Sequence, residues 1–180
     1  MIKKWLTAFL LVFLVLITPL AVYFLESPHQ VKAYQEKVVY QLPYPGILPD
    51  NPLYVFKALR DQIQAFFIRD YQKKAETYLL YSDKRVNMAM FLLEKGKINL
   101  AITTFSKGEK YFLKIPPLLK EAKRQGQQIP SDFIDKLKLA NAKHKEIADN
   151  FLKKIPQGET AAVMEIIKIN EKIKTDLEKL

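Results

Sequence analysis

The sequence predicts an all-α chain: an N-terminal transmembrane helix, then a proline-rich strut, then an antiparallel helical bundle. Three observations carry that prediction. Residues 5–25 contain no charged side chain. Pro43, Pro45, Pro49 and Pro52 fall within ten residues of one another. From Phe56 to Leu180 apolar residues recur at spacings of three and four, and no run alternates with period two as a strand would. Composition agrees: of 180 residues 49% are hydrophobic and 27% charged, with five glycines and no cysteine. These values exclude a disordered tail, a collagen-like repeat and a disulfide-stapled mini-protein, leaving an ordinary core-forming chain.

The first element follows Lys3 and Lys4 and runs from Trp5 to Leu25. As a helix it spans ~31 Å, the thickness of a bilayer's hydrocarbon core. The rival reading is a cleaved signal peptide, but the best cleavage site, after Ala21, puts Pro19 at position −3 and is followed by Val22, Tyr23 and Phe24. Signal peptidase needs small residues there, so the segment reads as an uncleaved anchor. A lipoprotein is excluded, because the chain has no cysteine to lipidate. Two lysines precede the span and none follows it until Lys32, so the N-terminus is expected in the cytoplasm and the rest outside a cell membrane crossed once. The expected organisation is therefore a cytoplasmic tip (1–4), an anchor (5–25), a juxtamembrane segment and strut (26–52) and a bundle (53–180).

Glu26 to Tyr40 reads as a polar helical or frayed continuation. In the strut, each proline fixes its own φ and biases the preceding residue to extended geometry, so no helix crosses it, and Gly46 offers a turn. Asp50 or Asn51 is placed to cap the next helix, with Pro52 in its first position. Phe56, Leu59, Ile63 and Phe66 form the buried stripe of that helix, which ends near Arg69. Asp70 caps a second helix carrying Tyr71, Ala75, Tyr78, Val86, Ala89 and Leu93 up to a stop at Gly96. A third keeps 3-4 spacing from Ile98 through Phe105, Gly108, Phe112, Ile115, Leu119 and Ala122; Pro116 and Pro117 must bend or break it, and Gly126 ends it. A fourth starts at Ser131 and carries Phe133, Leu137, Ala140, His144, Ile147, Phe151 and Ile155, closed by Pro156 and Gly158. A fifth starts near Thr160 with Ala162, Ile166, Ile169, Ile173, Leu177 and Leu180. About five helices make a bundle. The Gly96 to Phe105 segment has a tetratricopeptide flavour, but no 34-residue period recurs, which rejects a solenoid.

The run Leu42-Pro43-Tyr44-Pro45-Gly46-Ile47-Leu48-Pro49-Asp50-Asn51-Pro52-Leu53-Tyr54, with Lys57 and Arg60, resembles the signature of a bacterial domain-of-unknown-function family. In that family a membrane span is followed by a Leu-Pro-Tyr-Pro-Gly strut and a Pro-Leu-Tyr helix opening. The resemblance covers about residues 40–125, including Leu93-Glu94-Lys95-Gly96-Lys97. It implies an extracytoplasmic helical domain with Pro43, Tyr44, Pro45, Gly46, Pro49, Pro52, Leu53 and Tyr54 as structural signature, and it brings no established activity or catalytic residues. Some longer relatives look like membrane proteins associated with alternative sigma factors and carry a cytoplasmic regulatory region, which this sequence does not show.

No catalytic, cofactor-binding or metal-ligating constellation is found. The histidines are His29 and His144 alone, and neither sits in a nucleophile or base motif. His29 reads as a solvated linker residue. His144 lies on its helix seam without a histidine or cysteine at helical spacing, and Glu146 is on another face, so it reads as a packing histidine; a hydrolase would need it in a cleft beside a carboxylate. Asn141 breaks the Glu-x-x-His pattern of a di-iron bundle, and Phe91 stands where a phosphate loop ending at Gly96-Lys97 needs glycine. Asp132 and Asp135 fit a solvated or capping role.

The net charge is +10, and half of it falls in residues 97–126, with seven Lys and Arg against two Glu. Lys107, Lys110 and Lys114 share a face there, and Lys120, Lys123 and Arg124 cluster near the end. Such a patch fits anionic wall polymer or lipid headgroups, while the plainer reading is a solvated face. Nucleic acid is not expected. Phe66-Phe67-Ile68 and Tyr78 to Tyr81 put bulk on more than one helix face, and the core is their simplest destination. The function expected is a membrane-anchored, non-enzymatic structural or interaction module of the cell envelope, contacting an envelope protein or anionic polymer. A signalling relay and an envelope hydrolase are the lesser alternatives.

Overall fold

A computed structural model describes residues 38–180. The expected anchor and its orientation, the cytoplasmic tip and His29 lie outside the described residues. Among the described residues no helix is long and apolar enough to cross a membrane.

Six α-helices and one 3-10 turn make up the described part: α1 (Tyr54–Phe67), α2 (Tyr71–Glu94), α3 (Ile98–Phe112), α4 (Ile115–Arg124), α5 (Ser131–Leu152), the turn Gln157–Glu159, and α6 (Thr160–Leu177). No strand occurs among the described residues. The helical bundle is as expected, with one more helix because the 97–126 segment divides. The division falls at Leu113 and Lys114, and the prolines occupy the first turn of α4, where a missing N–H leaves no helical bond unmade.

Local signals fix several ends. Asp70 Oδ1 accepts from the Lys73 N–H at 2.7 Å, capping α2. Gly96 and Gly126 end α2 and α4 at φ 71° and 80°, the left-handed conformation that closes helices, and Gly46 turns the strut at φ 72°. The start of α1 differs from expectation. The helix begins at Tyr54, and Pro52 lies in a preceding turn where Asn51 Oδ1 accepts from Leu53 N–H at 2.9 Å. Asp50 is drawn away to Lys95 and Lys97, at 3.1 and 2.9 Å, so it pins the strut to the α2–α3 turn. Those lysines, Lys97 first, lower its carboxyl pKa.

Long α2 is the centre of the bundle: α3 and α4 lie along it, α5 packs on it and on α6, and α6 also meets α3. Burial is arranged in two apolar clusters. One joins Val86, Leu92, Ile102, Phe105, Ile147, Phe151, Val163 and Ile166. The other joins Leu79, Phe112, Ile115, Leu119, Phe133, Leu137, Ile173 and Leu177. Val163 takes the inward place expected of Ala162, which is exposed.

The largest departure is α1. Phe56, Leu59, Ile63 and Phe66 point outward, as do Val55 and Phe67; Phe56 is 71% and Phe66 74% exposed. What α1 turns inward is Asp61, 5% exposed, and Ala65. The reason is the surface that α1 meets. On α2, Tyr81 hydroxyl donates to Gln64 Oε1 at 3.1 Å, and Lys57 Nζ is held by the strut carbonyls of Pro45 (2.6 Å) and Ile47 (3.3 Å). A polar surface recruits the polar face of the helix, and the apolar face is left outside.

Candidate functional site

Between the two apolar clusters lies a polar layer to which four helices each give a seam residue, with Asn141 of α5 beside them. Along α2 the inward positions run Leu79, Asp83, Val86; along α3, Phe105, Glu109, Phe112; along α5, Ala140, His144, Ile147; along α6, Ile166, Asn170, Ile173. The spacing is four then three in every case, so each polar residue replaces one apolar seam position at the same level.

The layer is wired through His144, which is fully buried. Its Nδ1 lies 2.7 Å from Glu109 Oε1 and its Nε2 3.0 Å from Asp83 Oδ1. Asn170 Nδ2 donates to Glu109 Oε2 at 3.3 Å and to the Asn141 carbonyl at 3.0 Å, and Asn141 Nδ2 returns a bond to the Asn170 carbonyl at 3.1 Å. The remaining Asp83 oxygen, Oδ2, accepts from Tyr40 hydroxyl at 2.6 Å. Phe112 meets the imidazole edge to face, with centroids 5.5 Å apart.

Burial alone would lower the pKa of His144. The Glu109 charge, the hydrogen bonds to Asp83 and Glu109, and the Asp83 charge outweigh it and raise the pKa to about 9. The ring is therefore an imidazolium at neutral pH, donating from both nitrogens to two carboxylates. Burial first, then Asp83, raises the pKa of Tyr40 far above its ordinary value, so its hydroxyl stays a donor.

A groove of about 630 Å³ opens over one side of the layer, lined by Tyr40, Tyr44, Leu79, Asp83, Phe133 and others. It reaches Tyr40 and Asp83 and is not lined by His144 or Glu109. The carboxylate partners that a hydrolase would need are thus present at His144, but the ring has no opening to a substrate. No group of three or more His, Cys, Asp or Glu side chains among the described residues is arranged to hold a metal ion. His144 is legible in the sequence as a seam histidine; its partners Asp83 and Glu109, and Asn170 behind them, are not, because they lie 61, 35 and 26 positions from it in the chain.

The strut is part of the same construction. Asn87 Nδ2 donates to the Pro43 carbonyl at 2.8 Å, Val38 N–H donates to Glu146 Oε2 at 2.9 Å, and Pro45 is buried. Gly46 turns beside Lys57, whose Nζ would be 3.3 Å from a β-carbon there. Tyr44 is exposed, Pro43 and Pro49 half-buried, and Pro52 and Leu53 exposed, with Tyr54 half-buried at the head of α1.

The basic residues belong to two helices rather than one. Lys107 and Lys110 are exposed on α3 and Lys120 on α4, and among the described residues none of the three pairs with a carboxylate. Lys114, between the helices, sits over the rings of Tyr111 (5.0 Å) and Tyr78 (5.5 Å). Lys123 donates to the main-chain oxygen of Leu180, and Arg124 pairs with Glu121 at 3.3 Å.

A family model described as a domain of unknown function, DUF5667, matches residues 46–176. The match opens at Gly46, so Leu42 to Pro45 lie outside it, and it runs well past residue 125 to take in α5 and nearly all of α6. No curated protein and no solved structure matches the chain.

Proposed function

The chain belongs to the DUF5667 family, a domain of unknown function, and we propose that in this member the bundle is a non-catalytic interaction module of the cell envelope, held at a membrane by residues 5–25. The observation that carries the reading is the closed polar layer. The one histidine among the described residues spends both ring nitrogens on Asp83 and Glu109, and Asn170 and Tyr40 occupy the oxygens that remain. A site for general acid or base chemistry must leave one such atom to a substrate. A polar layer crossing four helices fixes their register instead, a use well attested in helical assemblies. A bundle locked in one register is a rigid display for its surface.

The test is proximity labelling in the native cell, with the labelling enzyme fused after Leu180. A short, reproducible set of envelope proteins supports the reading. Labelling of cytoplasmic proteins overturns the orientation on which it depends.

A second reading has its own observation: Lys107, Lys110 and Lys120 are exposed, and among the described residues none of them pairs with a carboxylate. Through them, with Lys114, Lys123 and Arg124, the module would bind an anionic wall polymer. Replacing Lys107, Lys110 and Lys114 by Gln should then weaken binding to wall fragments and flatten its salt dependence; unchanged binding removes this reading.

A further inference from the structure

The outward face of α1 has no use in the reading above. At about 100° per residue, Val55, Phe66, Leu59, Ile63, Phe56 and Phe67 fall within an arc of ~120°. All six are exposed, and Leu53 extends the strip before the helix. Soluble domains rarely leave so many bulky apolar side chains contiguous in water; such a strip marks an interaction surface. Three are phenylalanines, and the strip lies on a regular helix rather than in a loop.

We propose that α1 lies in the membrane–water interface with this face in the lipid, so that the bundle rests on the bilayer instead of hanging from its anchor. The inference rests on the reading of residues 5–25 as a membrane anchor. Two observations select lipid as the occupant. The first is charge. Arg60 borders the apolar arc with its side chain 67% exposed, Arg69 follows the helix, and the only acid in α1, Asp61, is buried and paired with Arg60 at 2.7 Å. The exposed charged side chains at that border are therefore arginines, beside the neutral Gln62, which suits anionic headgroups and lets the arginines reach the headgroup level above the rings. Two copies meeting through the same face would bring exposed arginines together with no exposed acid on α1 between them. The second is the chain. The 21 uncharged residues from Trp5 to Leu25 precede α1 by only residues 26–53, so an anchored chain keeps α1 at high effective concentration beside the bilayer.

The test uses the full chain in vesicles of phosphatidylcholine and phosphatidylglycerol. Because the protein has no cysteine, single variants Ile63→Cys, Phe66→Cys, Leu139→Cys and Leu11→Cys can each carry one environment-sensitive fluorophore. Leu139 lies on α5 and is 48% exposed, so it reports a comparable surface position away from α1; Leu11 reports the anchor. Unchanged far-ultraviolet circular dichroism verifies the fold of each variant. With a spin label carried high on the lipid acyl chain, probes at 63 and 66 are expected to be blue-shifted and quenched severalfold more than the probe at 139. Quenching at 63 and 66 equal to that at 139, with the probe at 11 still quenched, overturns the proposal and leaves the anchor standing. An unquenched probe at 11 overturns both. Shielding at 63 and 66 without lipid quenching, increasing as protein is concentrated in the vesicles, overturns it in favour of a second copy.

Discussion

Glu109 and His144, 35 residues apart in the chain, meet at 2.7 Å with neither side chain exposed, and this contact sets the register of α3 against α5. Burying a carboxylate and an imidazolium each costs several kcal/mol, and the cost is offset only where every remaining polar atom is bonded. Here Asp83, Asn170 and Tyr40 provide those bonds. A slip of one helical turn on any of the four helices would bring an apolar seam residue such as Val86, Phe112, Ile147 or Ile173 into the layer and move a polar one into an apolar cluster.

Stability should therefore depend on pH through His144. The groups facing it are Glu109 from α3 and Asp83 from α2, with Tyr40 and Asn170 behind them. Its pKa is raised from 6.5 to about 9 on folding, so its contribution is full below the unfolded value and is lost as pH rises through about 9. That contribution is on the order of 3 kcal/mol. Thermal melts of the full chain in detergent micelles should fall in midpoint as the pH is raised from about 6 to about 10. Glu109→Gln, which removes the largest favourable charge, should lower the midpoint at neutral pH and flatten the decline. A wild-type midpoint independent of pH over that range would sink the imidazolium assignment.

Gly108 is where α3 comes closest to α2. A β-carbon there would lie 3.2 Å from the Ser82 carbonyl oxygen and from Val86 Cγ2, and 3.3 Å from Arg85 Cβ. The helices cannot ease apart freely, because Ser82 Oγ donates to the Gly108 carbonyl at 2.9 Å. Overpacking costs about 1–3 kcal/mol and the better helix propensity of alanine returns about 1. Gly108→Ala should therefore destabilise by about 1 kcal/mol, read as a lower midpoint in denaturant; a rise would mean that α2 and α3 move apart without strain.

Tyr40 ties the strut to the polar layer, so Tyr40→Phe removes the donor to Asp83 Oδ2 while keeping the ring. An unsatisfied carboxylate oxygen in a part-buried site costs about 1–3 kcal/mol. The expected signature is a lower melting midpoint together with faster hydrogen exchange at Val38, whose N–H is held by Glu146. Exchange at Val38 as slow as in the wild type would detach the strut from the layer.

The helices and their ends were readable because their causes are local: Asp70 caps by its own side chain, Gly96 and Gly126 allow left-handed backbone, and the prolines exclude a helix before Asn51. The polar layer was half readable. His144 stood out on an apolar seam, but the stripe traced through Gly108 and Ile169 passed one position short of Glu109 and Asn170. The repeated sequence of apolar, polar and apolar at intervals of four and three on four helices was the available signal, and it appears only when the helices are compared with one another. The orientation of α1 was not readable at all. Its periodicity gives an apolar face, and only the polar partners Tyr81, Pro45 and Ile47, supplied by other segments, determine which face turns inward.

That orientation makes a direct prediction. Phe66 is 74% exposed and Phe105 1%, although both are phenylalanines on seams of helical spacing. If α1 is docked polar side inward, Phe66→Ser removes no buried contact within the bundle and should change the unfolding free energy of the detergent-solubilised chain by no more than about 0.5 kcal/mol. Phe105→Ala opens the cluster around Phe151, whose ring it meets edge to face at 5.2 Å, and should cost about 3–5 kcal/mol. The comparison turns on burial, because both variants lose one phenyl group and the exposed site receives the more polar replacement. Equal losses would mean that the outer face of α1 is covered by the bundle itself, which would withdraw the strip from any lipid or partner.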